Sequence, residues 1–440
     1  MAGADILSHA RGPFSPMQEF KQTLIRFFVL TLPLSGLVYW RMYMPNADLI
    51  DPGTNFIAQD FMKIWTAGRL ALDGRAEVAY DIVAYWEIVK TWFAPHQLFA
   101  NMSYPPTMQL IIAPLAALPF WVVAPFWVLG GLVAFWFATM MRMPMSCDWK
   151  WGIALILSPV MVINFGLAQN GGYSALMFLA GFLILDRRPI LAGLLFGLLT
   201  VKPQIGLLIP FALIILGAWR AFWMAAIVSI ALVAVSILLF GTGPWHGFLT
   251  ETLRVQAMYL EDPTGPVSWL SHTPYIFAWF LGAPAFVSSI FQLVIALPVA
   301  ALALWHMAGT GDYRLRLALL ALATSLVSPY SLCYDLALPI AAVLAFVMHD
   351  GGLKSERERC VVWALFLLPT MIIPAQTLNI TIGFPLLLIA FWHFHRRALV
   401  AEMSPLQLHA LGLVRPWLDR ACAHFRSGVP AWSKRVREGQ

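Results

Sequence analysis

Asp60 opens the amphipathic stretch Gln59-Asp60-Phe61-Met62-Lys63. A carboxylate held partly desolvated at a bilayer surface can take a proton from an acceptor hydroxyl. The same residue type near a helix start also stabilises the backbone dipole, so Asp60 carries two readings, general base and helix-terminal charge. Asp48 and Asp51 compete for the first role, but the adjacent Pro52-Gly53 marks them as loop residues. Lys63, on the polar side of the same stretch, is a candidate substrate contact.

Lys202, in Thr200-Val201-Lys202-Pro203-Gln204, lies between two apolar runs. An ammonium at that depth is costly and marks a functional site by default. Phosphate is its natural partner, with the lysine acting as a point charge; snorkelling to the interface is the competing reading. Gln169-Asn170 interrupts apolar sequence just before Gly171-Gly172-Tyr173. Amides there suit sugar hydroxyls, or a hydrogen bond to a neighbouring helix. Tyr104-Pro105-Pro106 opens an apolar run, where prolines suit a helix start. Tyr334-Asp335 follows Ser328-Pro329-Tyr330 and places an acid at the mouth of another run, within the possible reach of substrate, Lys202 or Arg254. Arg254 and His272 are further candidate phosphate contacts. No phosphate-binding glycine loop, dinucleotide fingerprint, HExxH or GxSxG is present.

These residues sit in a chain that is 60% hydrophobic and 11% charged, with 19 Trp among 440 residues. A soluble chain carries roughly twice that charge. Each crossing takes about 20 apolar residues, so the apolar runs allow about 11–13 transmembrane helices. Their length and lack of alternation exclude a barrel. The expected fold is therefore all-α and polytopic, a single transmembrane domain over residues 1–395 with a basic tail over 396–440. Spans are expected at 151–164, 171–186, 189–201, 203–218, 221–240, 273–308 (one piece or two), 314–328, 332–349, 360–374 and 379–395. Residues 106–141 read either as one bent crossing with a re-entrant piece or as two short crossings.

Two polar segments interrupt this pattern. The first external loop, 45–104, holds seven of the 22 acidic residues; the second, 241–272, has Glu251, Glu261 and Asp262 against Arg254. In the first loop Ile57, Phe61, Ile64 and Leu72 share one helical face, opposite Gln59, Lys63, Thr66 and Arg69. Val78, Ile82, Tyr85, Val89 and Phe93 form a second stripe. Two such stripes predict helices lying in the membrane interface, or packing on the spans beneath. Basic connectors at 186–188, 220, 314–316 and 354–359, and the basic tail, read as cytoplasmic, with both acidic loops outside. The net charge of +6 lies mainly in that tail and is not a nucleic-acid signal. Cys147, Cys333, Cys360 and Cys422 have neither disulfide nor metal spacing. The run from Phe27 to Trp40 reads as a retained first helix rather than a cleaved signal.

In order along the chain, Asp60, Ala67-Gly68-Arg69-Leu70, Ala79-Tyr80-Asp81, Tyr104-Pro105-Pro106 and Ala113-Pro114-Leu115 are followed by Ala168-Gln169-Asn170-Gly171 and Asp186-Arg187-Arg188-Pro189. Leu191-Ala192-Gly193, Lys202-Pro203-Gln204 and Ser328-Pro329-Tyr330 with Tyr334-Asp335-Leu336 complete the series. The set resembles glycosyltransferase family 87, membrane enzymes of the GT-C fold that include bacterial α-1,2-mannosyltransferases. The resemblance implies a polyprenyl-phosphate sugar donor, a glycolipid or glycan acceptor, contact with membrane lipids, and chemistry on the outer face of the bacterial cytoplasmic membrane. It implies an essential aspartate base in the first external loop, matched by Asp60, and no nucleotide cofactor; the residues themselves show no carboxylate cluster that demands a metal. Many relatives read Gly-Gln-Asn where this chain has Ala168-Gln169-Asn170, and some carry a His near Tyr334 or Asp335. The competing classes are a transporter or lipid flippase, against which the large acidic loop and the absence of repeated halves argue, and an inactive scaffold.

Overall fold

The computed structural model describes residues 58–93, 101–141, 155–261, 266–350 and 352–402. The expected first helix at Phe27–Trp40, Asp48, Asp51, Cys147, Cys422 and the tail beyond residue 402 lie outside the described residues. The first loop forms α1 (Gln59–Leu72) and α2 (Ile82–Trp92), joined by a 3-10 turn at Ala76–Tyr80. Next come α3 (Pro106–Ala116), α4 (Phe120–Met140), α5 (Pro159–Leu167), α6 (Gly171–Ile184), α7 (Pro189–Leu198), α8 (Ile209–Ile215) and α9 (Trp219–Phe240). The second loop contains α10 (Leu253–Glu261). The remainder is α11 (Pro274–Phe280), α12 (Ala285–Ala308), α13 (Tyr313–Val327), α14 (Ala337–His349), α15 (Glu356–Thr377) and α16 (Gly383–Glu402). A lone antiparallel bridge, Ser271 to Leu332, is the extent of β pairing among the described residues.

The ambiguous apolar stretch after the first loop is two helices, α3 and α4, separated at Ala117–Pro119. The 273–308 run also divides, at Leu281–Pro284, where Gly282 takes φ 89°. Four helices, α4, α9, α12 and α15, are long and apolar enough to cross a membrane, and several shorter apolar helices accompany them. Of the 18-residue apolar window in α9, 6% is buried inside the protein, against 50% in α15; α9 therefore lies at the periphery, packed along one face on α7 and otherwise facing outward. By contrast α13 and α14 are apolar and buried on all sides, as expected of helices at the centre of a bundle. They pack on each other, with α12 and α16 against α13 and with α4 and α6 against α14.

Several apolar helices are shorter than the runs that encode them because the chain breaks at polar points. α5 gives way to α6 at Ala168–Asn170, α7 to the next turn at Leu199–Lys202, and α13 to α14 through Ser328–Leu336. Irregular backbone within an apolar bundle is tolerated where it is buried in protein or lines a cavity. All three breaks carry candidate site residues.

α1 packs on α3, and Gly68 permits the close approach: a Cβ there would lie 2.8 Å from Ile112 Cγ2. Gln109 of α3 donates to the carbonyls of Ala67 and Ala76, at 3.3 and 2.9 Å, and so ties α1 and the 3-10 turn to the bundle. Phe61, Ile64, Tyr85 and Val89 are buried as the stripes predict, whereas Leu72 is exposed. Thr66, assigned to the polar face, is also buried, because α1 is covered on more of its circumference than a surface helix would be.

Candidate active site

Asp60 lies in the first turn of α1, but its side chain does not cap that helix. The contrast is Asp81, whose carboxylate accepts from the Val83 and Ala84 amides at the start of α2. Asp60 instead pairs with Lys63 one turn on, at 3.1 Å, and accepts a 2.7 Å hydrogen bond from Gln169 Nε2, 109 residues away. A carboxylate has about four lone-pair sites, so each Asp60 oxygen retains capacity for a further donor. Its side chain is 18% exposed, which leaves it reachable.

The orientation of the Gln169 amide is set from its other end, where Oε1 accepts from the Tyr104 hydroxyl at 3.1 Å. Burial, reinforced by the Asp60 and Asp335 carboxylates, holds the Tyr104 phenol well above its usual pKa. Tyr104 is therefore a standing donor.

The next residue, Asn170, faces the opposite charge. Its Oδ1 accepts from Lys202 Nζ at 2.9 Å. Lys202 also forms an ion pair with Asp335, both side chains 2% exposed, and lies 5.0 Å from the centroid of the Tyr334 ring. Asp335 in turn accepts from the Leu332 amide at 3.1 Å, which fixes the turn before α14. An ammonium has three donors; two are accounted for by Asn170 and Asp335. Asn170 Nδ2 is buried with no hydrogen-bond partner. Spare donors at a buried polar centre are suited to an oxygen-rich ligand.

Asn164 was not singled out by the sequence. In α5, its Oδ1 accepts from the Gly171 amide at 2.9 Å while its Nδ2 donates to the Tyr334 carbonyl at 3.1 Å. It thereby clamps the Gln169-Asn170 break against the Tyr334-Asp335 turn. Gly171 is required by that contact, since a Cβ would lie 2.6 Å from the Tyr334 carbonyl oxygen. Trp127 of α4 donates to the Ala168 carbonyl at 3.0 Å and stacks on Phe61, which follows Asp60, at 4.9 Å. One asparagine inside an apolar run offers little signal, because helix-to-helix amides have the same pattern.

The other two candidates are placed differently. Arg254 is exposed on α10, paired at 2.7 Å with Glu251 one turn back, and has no bond to the Asp60–Lys202 network. His272 is buried, its Nε2 3.1 Å from Ser331 Oγ. Burial lowers its pKa to about 3, leaving a neutral ring that braces the 328–332 segment rather than a cation. The second loop itself docks on the exit of the first: Gln256 donates to the Ser103 carbonyl and Thr252 to that of Met102.

Apolar helices interrupted around a buried set of carboxylates, amides and a lysine define a polytopic membrane protein with an internal polar site. Residues 103–329, just over half of the chain, match the model of glycosyltransferase family 87, and the chain belongs to that family. It is a membrane glycosyltransferase. The matched region includes Tyr104, Asn164, Gln169, Asn170 and Lys202; Asp60, Lys63, Tyr334 and Asp335 lie outside it. No curated protein and no solved structure matches the chain.

Proposed function

We propose that this protein transfers a hexose, with mannose the leading candidate, from a polyprenyl-phosphate donor to an acceptor hydroxyl on the outer face of the cytoplasmic membrane. Asp60 accepts the proton of the acceptor hydroxyl as its oxygen attacks the anomeric carbon. The bond from that carbon to the phosphate oxygen breaks, and its electron pair leaves with the polyprenyl phosphate. A single displacement of this kind inverts the anomeric configuration. Lys202 supplies its third N–H to the phosphate, and Asn170 Nδ2 donates beside it. Tyr104, Gln169 and Asp335 hold these groups in place, and Lys63 steadies the base.

The observation that carries this reading is that consecutive side chains, Gln169 and Asn170, bind Asp60 and Lys202 respectively. A base and a phosphate-seeking cation are thereby held a fixed distance apart in a chain that lies among apolar helices. The external loop that carries Asp60 gives the water-exposed hydroxyl of a glycolipid or glycan acceptor access, while a lipid donor arrives from the side.

The test supplies purified protein with polyprenyl-phosphate mannose, polyprenyl-phosphate glucose and a nucleotide-linked mannose, together with a membrane lipid extract as acceptor. Transfer from a polyprenyl donor, with inverted anomeric configuration in the product, is the expected result. Transfer from the nucleotide sugar alone, or retained configuration, would overturn the proposal.

A further inference from the structure

Away from Asp60 and Lys202, two adjoining cavities of about 640 and 440 Å³ meet at Pro189 and Arg220, between the start of α7 and the start of α9. The larger is lined by Arg187, Arg188 and Arg220 together with Leu191 and Leu194 of α7; the smaller by Leu216 and Trp219, with Asp186 as its acid. Several other basic side chains, in the 314–316 connector and the last helix, are already committed. Arg314 and Arg316 donate to backbone carbonyls, and Arg397 pairs with Asp350 and Glu358. The guanidinium groups of Arg187, Arg188 and Arg220 have no hydrogen-bond or ion-pair partner among the described residues. They are exposed, as are Leu191, Leu194 and Trp219.

We propose that these cavities bind the phosphate headgroup of an anionic diacyl phospholipid. Planar guanidinium groups grip phosphate by paired N–H donors, and basic pockets between membrane helices on the cytoplasmic side recognise anionic headgroups. The positive charge of the 186–188 and 220 connectors places this face in the cytoplasm. An apolar lobe lies on each side of Arg220, one along Leu191 and Leu194 and the other along Leu216 and Trp219. Two lobes around one basic centre fit a headgroup with two acyl chains better than a single polyprenyl chain. Trp219 and Trp223, both exposed on α9, are residue types that favour the headgroup level.

The experiment is native mass spectrometry of the full-length protein in mild detergent, offered phosphatidylglycerol, phosphatidylcholine or polyprenyl phosphate. The wild-type chain should retain phosphatidylglycerol at least tenfold better than phosphatidylcholine. The combined variant Arg187→Gln, Arg188→Gln, Arg220→Gln should retain it on the order of a hundredfold less well. A matching triple lysine variant, which keeps the charge and loses the fork, should fall between them. Equal retention by the wild-type and glutamine chains would overturn the proposal, as would preferred binding of polyprenyl phosphate that the glutamine variant abolishes. If the glutamine variant does not fold, the wild-type lipid preference and the lysine variant decide: equal retention of phosphatidylglycerol and phosphatidylcholine, or no loss on changing arginine to lysine, counts against the site.

Discussion

Gln169 and Asn170 are neighbours in the chain and bind opposite charges: Gln169 donates to the Asp60 carboxylate at 2.7 Å, and Asn170 accepts from the Lys202 ammonium at 2.9 Å. The break between α5 and α6 is therefore a two-residue bridge between the first loop and the bundle interior. Breaking a helix exposes backbone groups that must find partners. Asn164 and Trp127 supply two of them, to the Gly171 amide and the Ala168 carbonyl.

Tyr104 decides which end of the Gln169 amide meets Asp60. Tyr104→Phe removes one donor and leaves the ring packing intact. One hydrogen bond is worth about 0.5–1.5 kcal/mol, so kcat should fall roughly three- to tenfold with the thermal midpoint nearly unchanged. Steady-state kinetics beside a melting curve checks this; an unchanged kcat would show that Gln169 needs no such support.

Lys202→Met alone is an ambiguous test, because it leaves Asp335 buried and unpaired. Breaking one side of a buried pair costs about 3–5 kcal/mol. The paired variant Lys202→Met, Asp335→Asn removes both charges and should recover most of the lost stability. Donor use should stay at least tenfold impaired in kcat/KM, since no ammonium remains for the phosphate. Recovery of both stability and donor use in the paired variant would reduce the ion pair to a structural role.

Much of this arrangement was legible in the sequence. Hydropathy marked off the two acidic loops, and the residues now found in one network stood out by type: Asp60 in an amphipathic stretch of the first loop, and Gln169, Asn170 and Lys202 as polar points beside apolar runs. The pairing of Lys202 with Asp335 was one of several open possibilities, because residues 133 apart in the chain carry no spacing rule. Asn164 was missed for the reason that it lies in an otherwise ordinary apolar helix. Arg254 and His272 looked like anion contacts by residue type; a local acid, Glu251, neutralises the first, and burial keeps the second uncharged. The exact helix ends were hidden too, since apolar runs do not say where a buried site will interrupt them.

Ala168 takes φ 51° and ψ 46°, in the left-handed region, immediately before Gln169. Ala168→Gly relieves about 1–2 kcal/mol of strain and loses a buried methyl worth about 0.8 kcal/mol. Its stability and turnover should therefore stay close to wild type. Ala168→Val adds a β-branched side chain at a fully buried position in the same backbone conformation, and should cost more than about 2 kcal/mol. Thermal melts of both variants check this; a valine as stable as alanine would mean that the turn is not confined.

His272 sets an acid limb on stability. Its folded pKa is lowered to about 3, against about 6.5 when unfolded. The stabilisation from keeping it neutral is full above pH 6.5 and is lost as pH falls from there toward 3, where the unfolded chain binds the extra proton. Between pH 7.5 and pH 5 the wild-type chain should lose about 2 kcal/mol more than His272→Asn. Denaturation in detergent at the two pH values checks this, and identical pH dependence would mean that the imidazole is not kept neutral.

Asp60 is the proposed general base, and the transfer reaction rests on its carboxylate. Asp60→Asn preserves size and an acceptor for Gln169, and removes the basic oxygen; Lys63, 21% exposed, loses its ion pair, so the melt of the variant is compared with that of the wild-type chain first. Turnover with polyprenyl-phosphate mannose and a membrane lipid acceptor, measured on purified Asp60→Asn that melts like the wild-type chain, is the most direct test. The account predicts a rate lower by about 10²–10⁴-fold, with the donor still bound. A folded Asp60→Asn protein with turnover near that of wild type would contradict it.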